Sequence, residues 1–272
     1  MTVADLLTLP LSGATRLFVI VGDPIAQVKS PSGITGGFVR RGVDAIVVPV
    51  QVDPLDIESV LAALDRVKNL DGILATVPHK FAAFSHATSV TQRAALLETC
   101  NILRRSRDGG WHGDMGDGAG FVEALRKRGG DIAGRRGLLV GAGGAGRAIA
   151  LALIEAGVSY LAIHDADAGR RDALLALLEG VAPGRVARGS DDPAGFDLIA
   201  NASPAGMKPD DRPPVRLDRL ASGMTVGCVI TEPAETPLVA AARRLGCPVS
   251  TGLDMFGASQ EAIVDFMLHQ DG

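Results

Sequence analysis

The stretch Gly137-Leu138-Leu139-Val140-Gly141-Ala142-Gly143-Gly144-Ala145-Gly146 passes from an apolar run into a glycine-rich turn, and Arg147 to Gly157 continues it with a helical pattern. Strand, glycine turn and helix in that order are what a dinucleotide pyrophosphate site requires. Glycine serves there because the backbone turns sharply, and because a side chain would hold the phosphates away from the amide N–H groups at the helix's positive end. A second apolar run, Tyr160-Leu161-Ala162-Ile163, ends in His164-Asp165. That puts an acid about 20 residues past the last glycine, where a carboxylate accepts hydrogen bonds from an adenosine ribose. Gly141, Ala142, Gly143, Gly144, Ala145, Gly146 and Asp165 are therefore cofactor candidates.

The frame agrees with this. The chain has 272 residues, 47% hydrophobic and only 4% aromatic, which suits two Ala/Val/Leu-packed α/β domains. Its 27 basic and 31 acidic residues nearly balance without a basic block, which argues against a nucleic-acid surface and leaves a small molecule as partner. Cys100, Cys228 and Cys247 are odd in number and show no metal-ligand spacing, so neither a disulfide framework nor a metal site is expected. Met1 to Leu11 lacks a basic start, and no run approaches about 18 uninterrupted apolar residues. The expectation is a cytoplasmic protein with no membrane span, and a homodimer on base rates.

Strands and helices alternate throughout. Arg16 to Val21 reads as a strand, Ser30-Pro31 as a helix N-cap with proline behind it, and Ala45 to Val50 as the next strand. Asp53-Pro54 repeats the capping pattern before a helix over Leu55 to Val67, and Gly72 to Val77 is a third strand. Ser89 is expected to cap a helix through Glu98, and Asn101 to Arg105 to pair with Trp111-His112. Asp117 to Arg128 crosses into the second half, where Tyr160 to Asp165, Phe196 to Ala200 and Met224 to Val229 are strands, and Arg170 to Leu178 and Pro237 to Leu245 helices. A last helix, Leu253 to His269, is expected to return to the first domain. The architecture expected is two α/β domains with a cleft between them, 1–118 with 253–272 for substrate and 119–252 as a Rossmann domain for the dinucleotide.

Polar groups on the first domain's loops are the candidates for chemistry. Ser30 sits at a helix N-terminus, where it either holds a substrate anion or only caps its helix. Thr76-Val77-Pro78-His79-Lys80 puts a hydroxyl and an ammonium just past a buried strand, where ligands bind in such sheets, the alternative being a solvated surface lysine, since lysine is usually exposed. Asn101 both donates and accepts. Asp114 and Asp117 either cap the following helix or serve the site, Asp117 being the better placed for both.

Gly22-Asp23-Pro24-Ile25-Ala26 with Lys29-Ser30-Pro31, Thr76 to Lys80, Asn101, Gly113-Asp114-Met115-Gly116-Asp117-Gly118, Gly141 to Gly146, Asn201-Ala202-Ser203-Pro204-Ala205-Gly206-Met207 and Gly252-Leu253-Asp254-Met255 occur in one order that resembles the shikimate dehydrogenase family. The resemblance implies NAD(P)-dependent, reversible hydride transfer between nicotinamide and the alcohol or ketone carbon of a hydroxylated ring carboxylate, shikimate or quinate in type. It implies Lys80 and Asp117 as the catalytic pair, and Ser30, Thr76, Asn101 and Gln260 as substrate binders. Asn201, Ala202, Ser203, Gly252 and Met255 join the cofactor set. An ammonium beside the substrate oxygen stabilises the charge that appears there as hydride moves.

The departures concern substrate and cofactor. Val28 stands where the family has a second carboxylate-binding serine, and Leu74 where it has an asparagine. The expected glutamine position holds Ser259, with Gln260 one residue on, a rotation of about 100° on a helix. Either a local shift restores Gln260 or Ser259 faces the site. NADP-using members carry a basic Asn-Arg-Thr-like turn where this chain has His164-Asp165-Ala166-Asp167, which favours NAD, with NADP left open by Arg170 and Arg171. Two alternatives remain: a relative acting on another hydroxylated or aminated ring acid, and a non-catalytic dinucleotide sensor, against which the presence of both Lys80 and Asp117 argues.

Overall fold

The computed structural model describes residues 11–269, and the amino-terminal stretch read for an export signal lies outside them apart from Leu11. The chain divides into two compact units. One ends at Gly116 and resumes at Gln260, and the other runs Asp117–Ser259.

The first unit is built on strands β1 (Arg16–Gly22), β2 (Ala45–Gln51), β3 (Leu70–Ala75), β4 (Ser89–Val90), β5 (Ile102–Arg105) and β6 (Trp111–Asp114), in sheet order β2-β1-β3-β5-β6-β4. The β1–β2 and β1–β3 pairs are parallel, while β5 runs antiparallel to both β3 and β6. Helices α1 (Ser30–Arg40), α2 (Ile57–Leu64), α3 (Lys80–His86) and α4 (Gln92–Leu97) connect them. Phe18 and Phe38 meet in its core with ring centroids 4.6 Å apart, in the space that Gly72 leaves beside the Phe18 ring.

The second unit holds α5 (Asp117–Lys127), β7 (Arg136–Val140), α6 (Gly144–Glu155), β8 (Tyr160–His164), α7 (Ala168–Glu179), β9 (Val186–Arg188), β10 (Leu198–Asn201), β11 (Thr225–Cys228), α8 (Pro237–Arg244) and β12 (Val249–Ser250). Its sheet, β12-β11-β10-β7-β8-β9, is parallel throughout. Parallel strands are covered on both faces, so they read as continuous apolar runs. Leu139 accordingly packs into one cluster with Phe121, Ile149 and Leu174, while its neighbours Leu138 and Val140 face another with Leu238 and Ala242. The last helix, α9 (Gly252–Leu268), begins in the second unit and ends in the first. No helix among the described residues is long and apolar enough to cross a membrane.

Several local expectations are corrected. Ser30 is the first residue of α1 rather than its cap; Lys29 holds that place and makes no side-chain cap bond. Ser89 does not cap a helix. It lies in β4 opposite His112, and Thr91 caps α4 by accepting from the Ala94 N–H at 3.4 Å. The helix after Asp53-Pro54 begins only at Ile57, because the Asp53 carboxylate accepts from the Leu55 N–H and holds those residues in a turn. The third strand ends at Ala75, α3 and β9 are additional elements, and the fingerprint helix starts at Gly144, inside the glycine run.

Helices α5 and α6 meet at Gly118, where an added Cβ would strike the Ala148 carbonyl. Gly118→Ala should therefore cost about 1–3 kcal/mol in urea unfolding, as overpacking does. The exposed neighbour Ala119, changed to Ser, should stay within about 0.5 kcal/mol.

Candidate functional site

In the second unit the chain leaves β7 toward β8 on one side and β10 toward β11 on the other, so the β7 and β10 carboxyl ends border the point where strand order reverses. Ligands bind in open parallel sheets at such a point. The glycine loop follows β7 and residues 201–203 end β10. Gly141 has φ +103° and lies so close to Ala202 that an added Cβ would come within 2.7 Å of the Ala202 carbonyl carbon. At Gly146 an added Cβ would run into the Gly141 carbonyl, whereas at Gly143 it would meet only open space. Side chains are thus excluded where the loop packs, and the open side lies at the N-terminus of α6, where an anion is favoured.

Asp165, just past β8, accepts from the Ala142 N–H at 2.6 Å and from the Asp167 N–H at 2.8 Å. Two backbone donors hold the carboxylate at the edge of the loop, with lone pairs left on both oxygens. Asn201 is fully buried, and its side-chain oxygen accepts from the Ser203 N–H (3.1 Å) and hydroxyl (2.7 Å). These two side chains shape the β10 loop. Met255 and Ala202 pack against the same apolar cluster, which includes Ala142. Gly252 lies against the Val229 and Ile230 carbonyls, and a reciprocal Thr251–Asp254 pairing fixes the start of α9 there.

In the first unit, Thr76, Lys80 and Asn101 gather at the carboxyl ends of β1 and β3. Thr76 donates its N–H to Val21 and packs over Gly22. Lys80 opens α3, and its carbonyl accepts from the Cys100 N–H at 3.0 Å. Asn101 is buried; its carbonyl accepts from the Ala75 N–H and its side-chain oxygen from the Gly116 N–H at 2.9 Å. Ser30 stands at the N-terminus of α1, and Gln260 Nε2 donates to the Gly33 carbonyl at 2.9 Å, tying α9 to the same turn. Ser259 instead bonds back to Met255 and Phe256 and packs against Gly120, so of the two residues Gln260 is the one directed to α1. Leu74 is buried on β3, and Val28 is half-buried. Asp117, nearly buried, is the first residue of α5 in the second unit.

Two supports lie outside the motif reading. His79 is buried, with its Nε2 2.8 Å from the Val52 carbonyl, which anchors the turn carrying Thr76 and Lys80. Asp114 does not cap α5. Its carboxylate accepts from Thr91 Oγ1 at 2.5 Å, from Arg93 Nε and Nη2 and from the Met115 N–H. Burial raises the Asp114 carboxyl, but the Arg93 and Thr91 bonds and the Arg93 charge outweigh it, and its pKa ends below the ordinary value. Burial, reinforced by Asp114, pushes the Cys100 thiol up to about 12, so this thiol is inert at neutral pH. Partners 21 to 23 residues apart leave no local signal in sequence.

A glycine loop at the switch point of a doubly wound sheet, joined in one chain to a second α/β unit with its own polar loop cluster, defines a dinucleotide-dependent enzyme class. Residues 20–103 match the model of the shikimate dehydrogenase substrate binding domain. The shikimate dehydrogenase (NADP(+)) of Rhodospirillum rubrum is 35% identical over 90% of this chain and 89% of its own length. The Listeria monocytogenes shikimate 5-dehydrogenase, solved with shikimate and NAD, superposes with a TM-score of 0.82 at 23% identity over 96% and 94% of the two chains. The 5-ketofructose reductase of a Gluconobacter strain superposes with a TM-score of 0.79 at 28% identity over 94% of each. The chain belongs to the shikimate dehydrogenase family, and is an NAD(P)-dependent oxidoreductase acting on a CH–OH group.

The Asp114 clamp has a pH signature. A carboxyl with a depressed folded pKa stabilises fully above its unfolded value of about 3.9, and the gain is lost as pH falls through the folded value. Asp114→Asn should cost about 1–3 kcal/mol at pH 7 by the loss of charge-assisted bonds. In urea melts against pH, the gap to wild type should close below about pH 4.

Proposed function

We propose that the protein interconverts the alcohol and ketone of a shikimate- or quinate-type ring acid, with NAD as its preferred cofactor. The observation that carries the reading is the gathering of Thr76, Lys80 and Asn101 at one end of the first sheet, joined by the Ala75–Asn101 and Lys80–Cys100 backbone bonds. When bound, the nicotinamide supplies or takes the hydride at the alcohol carbon. The Lys80 ammonium stabilises negative charge on the substrate oxygen and gives that oxygen its proton when the ketone is reduced; in the reverse direction the neutral Lys80 amine takes the alcohol proton. Asp117 keeps that lysine charged and oriented and accepts from a ring hydroxyl. Asn101 and Thr76 hold ring substituents, and Ser30 at the α1 N-terminus meets the carboxylate. Gln260, with Nε2 on Gly33, has its amide oxygen left for a hydroxyl. The substrate role falls to the unit that ends at Gly116, and the dinucleotide role to Asp117–Ser259.

Relatives of this chain are named for NADP(+), and the preference for NAD proposed here rests on Asp165 alone. Its carboxylate beside Ala142 suits ribose hydroxyls and repels a 2′-phosphate. The arginines nearest in sequence are already matched, Arg171 with Asp172 at 2.8 Å and Arg170 with Asp167 at 3.4 Å. The glycine loop, the rest of the β10 loop, Gly252 and Met255 complete the cofactor cradle. Three free, buried cysteines support a reducing cytoplasm, and a homodimer is the assembly we expect.

A second reading has its own support. Val28 and Leu74 leave the site two polar groups short of the family pattern, and the similar Gluconobacter protein is named for reduction of a keto sugar. A neutral polyhydroxy ketone needs no carboxylate pocket. Assays with shikimate, quinate and 5-ketofructose separate the two: on our leading reading the ring acids give the higher kcat/KM, and Val28→Ser lowers their KM.

Lys80→Met should lower kcat by roughly 10²-fold or more on the best substrate while leaving the NAD Kd nearly unchanged. Asp117→Asn should also lower kcat, and the double variant should lose far less than the product of the single losses. A folded Lys80→Met protein with full turnover would overturn the assignment. Wild-type kcat/KM should be higher with NAD than with NADP, and Asp165→Ser with Ala166→Arg should reverse the order.

A further inference from the structure

Beyond the carboxyl end of β8, acids and guanidinium groups from three parts of the second unit come together. Asp165 and Asp167 follow β8, Arg170, Arg171 and Asp172 lie near the start of α7, and Arg188 closes β9. Strand β9 runs beside β8 with Arg188 opposite Ile163, and the Gly189 N–H donates to the Ile163 carbonyl at 2.8 Å. That pairing brings Arg188 close to the strand end that carries Asp165, a neighbour it does not have in sequence.

Asp172 is the centre of the group. Its Oδ1 accepts from Arg171 Nε at 2.8 Å and from Arg188 Nε at 3.2 Å, and its Oδ2 accepts from Arg188 Nη2 at 3.0 Å. Arg188 thus sets two arms of its fork against one carboxylate, the geometry in which an arginine–carboxylate pair is most directional. The Arg171 bond, joined by the charge and bonds of Arg188, outweighs burial and holds the Asp172 carboxyl below its ordinary value, so it is ionised at neutral pH. Arg171 feels the charge of Asp165 as well as that of Asp172. Arg170 is matched separately, 3.4 Å from Asp167. An arginine near an adenosine ribose is what accommodates a 2′-phosphate. Arg171 and Arg188 suit that task by type and place, yet both are turned to Asp172. A 2′-phosphate has to draw a guanidinium away from Asp172 before the two can pair, whereas a 2′-hydroxyl at Asp165 leaves every one of those bonds in place.

We infer that Asp172 is a specificity-determining residue: by engaging Arg171 and Arg188 it withholds them from a 2′-phosphate, and so reinforces Asp165 in selecting NAD. The inference rests on the NAD reading made from Asp165, and adds to it a residue that acts through its two arginines rather than by touching the cofactor.

Calorimetric titration of the full chain with NAD and with NADP gives the ratio of the two Kd values without recourse to turnover. Asp172 has a side chain 41% exposed, so Asp172→Asn removes its charge at a position that tolerates exchange. It should tighten NADP by roughly three- to tenfold, the scale of a newly available charge-assisted contact near the surface, and leave the NAD Kd nearly unchanged. Asp172→Ala, which leaves no acceptor for Arg188, should act in the same direction. Adding Arg171→Gln and Arg188→Gln to Asp172→Asn should take the gain back. A merely structural role would weaken both dinucleotides together and leave their ratio where it was. A ratio unchanged in both Asp172 variants, or a gain that survives the loss of both arginines, overturns the inference. The Asp165 reading is judged separately: it fails if the wild type binds NADP more tightly than NAD, and the change of ratio on Asp172→Asn is read whichever dinucleotide the wild type prefers.

Discussion

The contact between Gly141 and Ala202 organises the dinucleotide half of the molecule. Strands β7 and β10 are neighbours, and their chains depart in opposite directions, so the two loops beyond them border a crevice. The crevice has a closed floor only because the backbones touch there, and they touch because Gly141 has no Cβ and takes a φ that other residues rarely adopt. Gly146 extends the same constraint one turn on, letting α6 begin directly against the Gly141 carbonyl. What faces the opening is then main chain: unpaired N–H groups of a helix N-terminus, with Asp165 held at the edge by the loop's own Ala142 N–H.

The other half is organised by buried polar side chains. His79 reaches the Val52 carbonyl, Thr35 accepts from the Val47 N–H, and Asp114 gathers Thr91, Arg93 and the Met115 N–H around one carboxylate. Such groups are costly to bury unless every bond is made, so each fixes its loop in one arrangement. Asp114 lies three residues before Asp117, and its main-chain carbonyl accepts from the Asn101 N–H. The clamp therefore sets the backbone of the segment from which two of the proposed site residues project. It acts through position, since the carboxylate is saturated by its own partners.

That contrast explains what was legible in the sequence. A backbone-built site needs glycines at fixed spacing on a strand–turn–helix, and Gly141 to Gly146 with Asp165 show it directly. Buried strands announce themselves as apolar runs, so the two α/β sheets were readable, with ends displaced by a residue or two. Ser89 misled because a serine before an apolar stretch is a cap signal, yet its partner His112 lies 23 residues away in sequence and draws it into β4. Ser30 misled because proline behind it marks a helix start without saying which residue is the cap. His79 and Asp114 were not legible as supports, since their partners come from other elements. The choice between Ser259 and Gln260 rested on helix phase; in the fold Ser259 bonds back to Met255 and Phe256 and packs against Gly120, while Gln260 Nε2 donates to the Gly33 carbonyl.

The same contrast separates reaction from substrate. Hydride transfer asks for a dinucleotide cradle and a charged donor beside an oxygen, and both rest on features this chain has: the glycine loop, and a lysine at the head of α3 on a turn pinned by His79. Substrate choice asks for hydrogen bonds to particular ring substituents, each worth about 1–3 kcal/mol when its absence leaves a buried group unpaired. Leu74 is buried on β3, two positions before Thr76, which lies just past the strand's end. Val28 lies one residue before the Lys29 N-cap of the helix that Ser30 begins. On the proposed reading, Leu74 would take away a donor to a ring substituent and Val28 a donor to the carboxylate, while Lys80 and Asp117 are kept. A chain can therefore keep the family's chemistry and move its substrate by altering apolar contacts alone, at a cost of one to two tenfold steps in affinity per contact.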